Sequence, residues 1–311
     1  MSDFLYSVEL PFSKKTVSFK EISTKDQLFL AKSMLVSPEG LDGDLYFINT
    51  FAELLQRSTI NVSIQDLSVI EVLLLGLKIR SISMGPICKL QAIREDKQTI
   101  IELDCDLFLK NVFLGLNELN ESHWGLTYIA NENTSINIKL GWLTWKQLPQ
   151  LLTILTSSSD PQEISNSILP LFIREIIVNQ AENIITWSAD SGIPFDVNKI
   201  PAPIQHRLVK QLLSNIDLLK NIDLFQLKNF NQWHLDLLDS SILQVFKLPF
   251  LFDLAEIHQE IFMLSGQLDA EYILNLSSQE RRMYLNFFPK KNTNSQSAEV
   301  QQLAQEFNQS I

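Results

Sequence analysis

Cysteine is almost missing from this chain: 311 residues hold only Cys88 and Cys105. Two are too few for a disulfide framework, and no further ligands at suitable spacing complete a zinc set. Two reduced, half-buried thiols on paired strands are expected. Glycine is also scarce, at nine residues. Phosphate-cradling loops are hard to build from so few, and neither a Walker loop nor a dinucleotide fingerprint occurs. A Gly-x-Ser-x-Gly elbow is absent, so a hydrolase triad has no anchor. The four histidines, at 123, 206, 234 and 258, fall in no metal spacing. No cofactor, no metal and no catalytic residue are therefore expected.

Long apolar runs are lacking as well. None approaches the roughly 20 residues of a membrane span. The opening MSDFLYSVEL has no basic segment followed by a long apolar core, so it does not read as a signal peptide. The expectation is a chain made and kept in a reducing cytoplasm, with no membrane contact. Cationic excess is absent too: 25 Lys and Arg face 36 Asp and Glu, for a net charge of −11. Nonspecific nucleic-acid binding needs cationic surface to release counterions, so no nucleic acid is expected. Acidity at this level favours solubility and protein partners.

What is present is an ordinary globular composition, 45% hydrophobic and 20% charged, about two domains in length. The most continuous apolar stretch of the first half is 66–86, DLSVIEVLLLGLKIRSISMGP. It reads as a central helix buried on most faces, started by Ser63 with Asp66 in the capping-box position and stopped by Gly85-Pro86. Arg80, Ser81 and Ser83 emerge at its C-terminal end, where a cation suits the helix dipole.

Around it, Phe4, Tyr6, Val8 and Leu10 alternate, then Val17 and Phe19, as a hairpin. A helix starts at Ser23 or Thr24 and ends before Pro38; 37–44 is a loop; another helix runs from Leu45 to about Arg57. Residues 87–93 and 99–105 read as strands, as do 126–130 and 135–140. From Trp142 onward strand signals fade. Helices are expected over 144–157, 162–181, 204–220, 223–238, 240–265 (with a disturbance at Pro249), 268–275 and 277–288. The fold class expected is α+β: residues 1–142 as short antiparallel strands packed with about three helices, 143–290 as an all-α domain, and 291–311 as a polar hinge and short terminal helix.

A helix ending in Arg-x-x-Ser-x-Gly, here Arg80, Ser83 and Gly85, resembles the baseplate hub protein family of T-even-type contractile-tailed bacteriophages. The opening VELPFSKKTVSFKEIS resembles that family's start, with Leu10, Pro11, Lys14 and Lys15 at the matching positions. The hairpin after Gly85 and the acidic strand IIELDCDLFL match in character. The likeness covers about residues 4–142. SSQERRMYLNFF, 277–288, loosely resembles the end of small phage tail- and hub-assembly proteins.

The resemblance implies a noncatalytic subunit or assembly protein of the baseplate's central hub. It would act by protein–protein recognition on other hub proteins and the tape-measure protein, in the host cytoplasm during assembly and in the virion. A transient assembly chaperone that leaves the particle is the alternative; a tail-associated cell-wall hydrolase or an unrelated cytoplasmic adaptor are other classes. Pro11, Arg80, Ser83 and Gly85 are the family-motif and candidate interface residues.

Arg80 is read as either an exposed interface anchor or a buried partner of a strand carboxylate such as Asp104, with the buried role preferred. Glu102, Asp104 and Asp106 alternate along one strand face that should meet solvent. Arg281-Arg282 near Tyr284 could form a binding patch. Phe246, Phe250, Phe252, Phe262 and Phe287-Phe288 should mostly pack in the core, and any left exposed would mark a groove for a partner helix.

Overall fold

The computed structural model describes residues 4–288 except 95–96, 118–123, 132–133, 159, 181–182, 192–195, 197–198, 221–235 and 240–241. The expected helix over 223–238 lies outside the described residues except for 236–238, which are not helical, and the terminal segment 291–311 lies outside them entirely. The class is α+β, as the alternation of periodicities implies.

The central helix, α3, spans Val69–Met84 and is buried around most of its circumference. It starts later than Ser63. Residues 64–66 form a 3-10 turn, and Ser68 caps α3 in a reciprocal box with Glu71. The reason is tertiary. Leu67 and Ser68 stay extended to pair with 143–145: Val69 N–H donates to the Leu143 carbonyl at 2.8 Å and Trp145 N–H to that of Leu67 at 2.8 Å. At the other end Gly85 takes φ +87°, a conformation costly for any residue with a Cβ.

The hairpin β1 (Tyr6–Glu9) and β2 (Thr16–Phe19) forms as expected, with Val17 and Phe19 buried. Helix α1 covers Thr24–Val36, capped by Ser23. Helix α2 covers Gly40–Ser58, so the expected loop 37–44 is mostly helix. Its glycines and aspartates mimic a turn, yet Gly43 is where the helix presses on the preceding chain: a Cβ there would sit 1.9 Å from the Pro38 carbonyl oxygen.

Strands β3 (Ile87–Arg94) and β4 (Lys97–Asp104) pair antiparallel. The chain then passes directly into α4, Cys105–Asn117, so the expected acidic strand stops at Asp104. That carboxylate accepts the N–H groups of Asp106 (3.0 Å) and Leu107 (3.1 Å) and starts the helix. Asp106 is thus on a helix, and the three carboxylates do not share a strand face. Cys105, Phe108, Leu109, Val112 and Leu116 are the buried stripe of α4, which packs on α3.

The largest correction concerns the second half. Helix α5 spans Leu148–Ser157 and α6 spans Pro161–Phe172. The helix expected over 162–181 ends there, and β7 (Ile173–Gln180) and β8 (Asn183–Ser188) follow. They join β5 (Gly125–Asn131) and β6 (Thr134–Leu140) in a four-stranded antiparallel sheet, order β5-β6-β7-β8. The second half is therefore not all helical. Residue 142 divides sequence character rather than the core, because β6–β7 pairing crosses it and buried residues from both sides form one cluster.

Helix α7 (Ala202–Lys220) buries Ile204, Leu208, Leu212 and Ile216, one residue per turn. The expected helix 240–265 breaks at Pro249 into α8 (Ile242–Lys247), a 3-10 turn at 248–250, and α9 (Leu254–Ser265) capped by Asp253. Phe246 and Phe250 are buried against Phe51, with ring centroids 5.9 and 5.0 Å away. Helices α10 (Ala270–Asn275) and α11 (Ser278–Phe287) end the described chain.

Candidate functional site: a groove at the end of the central helix

The C-terminal end of α3 and the cap residue after it hold three of the motif residues, and each does separate work. Arg80 is 4% exposed. Among the described residues its guanidinium meets no carboxylate. It donates from Nε to the Pro249 carbonyl at 2.8 Å, from one terminal nitrogen to the Gly85 carbonyl, and from the other to that of Ile87 at 3.3 Å. The side chain is buried, but the expected partner Asp104 gives way to the backbone carbonyls of Gly85 and Ile87, just past the end of α3, and of Pro249 in the 248–250 turn. Ser83 is buried, accepts the Ile22 N–H at 2.8 Å and donates to the Ile79 carbonyl at 2.7 Å. Gly85 turns the chain into β3. Ser81 donates to Asp106 at 2.8 Å.

Pro11 belongs to the opposite end of the helix. The turn after it gives two N–H groups, of Phe12 (3.1 Å) and Ser13 (2.7 Å), to one oxygen of Glu71. The other oxygen accepts from the Ser68 N–H and hydroxyl. Glu71, 2% exposed, thus ties the Leu-Pro turn to the start of α3. The spacing Ser68-x-x-Glu71 announces this residue in the sequence, although the Ser63 reading passed it over.

Arg80 and Gly85 line an open groove of about 500 Å³. Pro86–Lys89 form one wall; Leu251–Asp253 and α9 form another; α11 supplies Ser278, Arg281 and Arg282. Ile87 and Leu251, both exposed, and half-buried Phe252 give it apolar rims. The floor is charged but paired. Arg281, 1% exposed, donates from Nε to Glu260 at 2.8 Å and also reaches Thr24, Gln27 and Ser278. Arg282 reaches Glu256 at 3.1 Å and Glu260 at 3.4 Å. The two arginines therefore split: Arg281 is a buried strut and only Arg282 faces the groove mouth.

Cys88 lines the same groove. Burial pushes its thiol above the ordinary range, partly offset by the Arg80 cation beside it. Burial pushes the neighbouring Cys105 thiol up to about 12. Both are protonated at neutral pH and poor nucleophiles. Among the described residues, no cluster of His, Cys, Asp and Glu has a geometry for metal. His206 and His258 are exposed, while His123 and His234 lie outside the described residues.

A second cavity, about 220 Å³, opens beside Met34, Tyr46 and Lys247 and shares Leu251 with the first. Of the phenylalanines expected to pack in the core, Phe262 and Phe287 are well exposed, at 63% and 73%. The arrangement suits recognition of a polypeptide: paired charges below, apolar edges above, and backbone of β3 at the side. Compared with family models, curated proteins and solved structures, the chain matches none.

Proposed function

We propose that this protein is a noncatalytic baseplate hub subunit, or hub-assembly protein, of a contractile-tailed phage, acting by protein–protein recognition on other hub proteins and the tape-measure protein. The observation that carries the reading is the convergence of Arg80 and Gly85 on an open groove whose other walls come from α9 and α11. Two of the four motif residues that resemble the hub family, Arg80 and Gly85, therefore line the proposed binding surface, and the helical extension completes it. Binding there would stabilise an assembly intermediate by mass action. The reading places the protein in the host cytoplasm during assembly and in the tail baseplate afterwards. A transient chaperone for the same partners is the second reading.

Co-expression with the phage's hub and tape-measure proteins, followed by pull-down, tests the proposal. A stable complex is expected, weakened at least tenfold by Leu251→Asp on the groove rim. Failure of every such partner to co-purify would remove the hub assignment. Finding the protein stoichiometrically in purified particles separates the subunit from the chaperone.

A further inference from the structure

The groove beside α3 holds one charge that its walls do not balance. Arg80, Lys89, Arg281 and Arg282 line it, against Asp253, Glu256 and Glu260. The lining is net positive, in a chain of net charge −11. Among the described residues, all of these groups but one have an evident counterpart. Arg281 meets Glu260, and Arg282 meets Glu256 and Glu260. Asp253 accepts the Ala255 and Glu256 N–H groups at the start of α9. Lys89 is exposed to solvent and lies 4.0 Å from Glu102. Arg80 is the exception: it is buried, and its hydrogen-bond acceptors are neutral carbonyls.

Carbonyls do not cancel a full charge. An arginine cannot shed its proton, and a buried charge without an opposite one is costly. The C-terminal end of a helix supplies at most roughly half an elementary charge of the right sign. A net positive charge therefore stays at the groove. Cys88, on the same wall, registers it: the Arg80 cation pulls the thiol pKa down, against the larger upward push of burial. Three of the five guanidinium N–H groups go to carbonyls, which leaves donors for a further acceptor. A carboxylate suits them in charge and in planar geometry.

We propose that the groove's polypeptide partner sets a glutamate side chain against Arg80 and rests the apolar residues beside that glutamate on Ile87, Leu251 and Phe252. This rests on the reading of the groove as a protein-binding surface and adds the chemistry by which it selects. The depth of Arg80 decides the carboxylate. A chain's terminal carboxylate has no stem with which to reach a recessed cation, and aspartate has a shorter one than glutamate. The rims decide the rest. Ile87 and Leu251 are exposed, and they gain burial only from apolar groups carried by the same ligand, not from a free anion.

Panning a displayed library of random short peptides on the purified full chain tests this without any hub protein. Enriched sequences should share a glutamate with apolar neighbours. A synthetic enriched peptide, amidated at its C-terminus, should bind in a fluorescence-anisotropy titration. The same peptide with glutamine for glutamate should bind about tenfold or more weakly. In the protein, Leu251→Glu brings a competing carboxylate to the rim and should weaken binding several-fold more than Leu251→Gln, both variants keeping the circular dichroism of the parent. Arg80→Met should lose the preference for glutamate over glutamine; if that variant unfolds, the Leu251 pair decides. Absence of enrichment, enrichment without a shared glutamate, equal binding of the two peptides, or equal losses from the two Leu251 variants overturns the inference, whatever the hub proteins do in pull-down. Glutamate-selective binding alongside hub proteins that fail to co-purify upholds it and removes the hub assignment instead.

Discussion

Replacing Arg281 with leucine tests whether the C-terminal helices are locked to the N-terminal part through a buried ionic network. The Arg281 side chain is 1% exposed and Glu260 10%. Removing the guanidinium leaves Glu260, among the described residues, with one ionic contact at 3.4 Å from the half-exposed Arg282. It also withdraws donors from Thr24, Gln27 and Ser278. Breaking a buried pair in this way costs about 3–5 kcal/mol, a third or more of a typical domain's stability.

The double variant Arg281→Leu/Glu260→Leu leaves no orphaned charge. It should recover most of the loss, landing within about 2 kcal/mol of the parent. Urea unfolding at 25 °C and pH 7, read by far-ultraviolet circular dichroism, gives all the corners of the cycle. A cost below about 1 kcal/mol for Arg281→Leu, or a double variant as unstable as the two single losses added, would refute the network argument.

Glu71→Ala removes the acceptor of the Phe12, Ser13 and Ser68 donors and should cost about 3 kcal/mol or more, with the Pro11 turn losing amide protection first in hydrogen exchange. Gly43→Ala drives a methyl group into the Pro38 carbonyl; the start of α2 must shift, at a loss of about 1–3 kcal/mol in the same urea assay. Cys105 keeps its proton to about pH 12 when folded, whereas an unfolded chain releases it near pH 8.5. Its contribution is therefore intact below about pH 8 and declines as pH rises from about 8.5 toward 12, by at most about 1.4 kcal/mol per unit. Unfolding midpoints measured from pH 7 to 10 should fall, and Cys105→Ala should flatten the decline.

The elements legible in the sequence are those whose local chemistry agrees with their tertiary setting. Ser23 caps α1, Pro249 breaks the α8–α9 run, and Ser277 caps α11 in a box with Glu280. The misreadings have particular causes. Ile173, Ile176 and Ile177 satisfy helical spacing, so β7 reads as a continuation of α6. The β-branched enrichment through Val178, Ile184 and Ile185 was the better signal, and pairing with β6 decides the matter. In α4 the helical stripe from Cys105 to Leu116 is plain, but three alternating carboxylates disguise its start.

At the groove, Arg80 was legible as a special residue because it stands at the C-terminal end of an apolar helix, where a cation suits the dipole. Its partners were not, because they are backbone carbonyls more than a hundred residues away in the case of Pro249. Thr24 and Gln27, which meet Arg281, have no sequence signal at all.

The position of the groove follows from α3 itself. A helix apolar on every side must be covered from every side, and no single neighbour does that. α4, α8, the 248–250 turn and α11 all pack on it, which draws the far end of the chain onto the first 142 residues and explains why one core results. Coverage by apolar groups lasts only as long as the apolar surface does. From Arg80 the helix turns polar, with Ser81 and Ser83, and what packs there brings a backbone N–H, carbonyls and a carboxylate instead. Such groups meet at hydrogen-bond distance in fixed directions and do not close over a surface as methyl groups do. The opening beside Arg80 and Gly85 is the space left where the two kinds of packing meet.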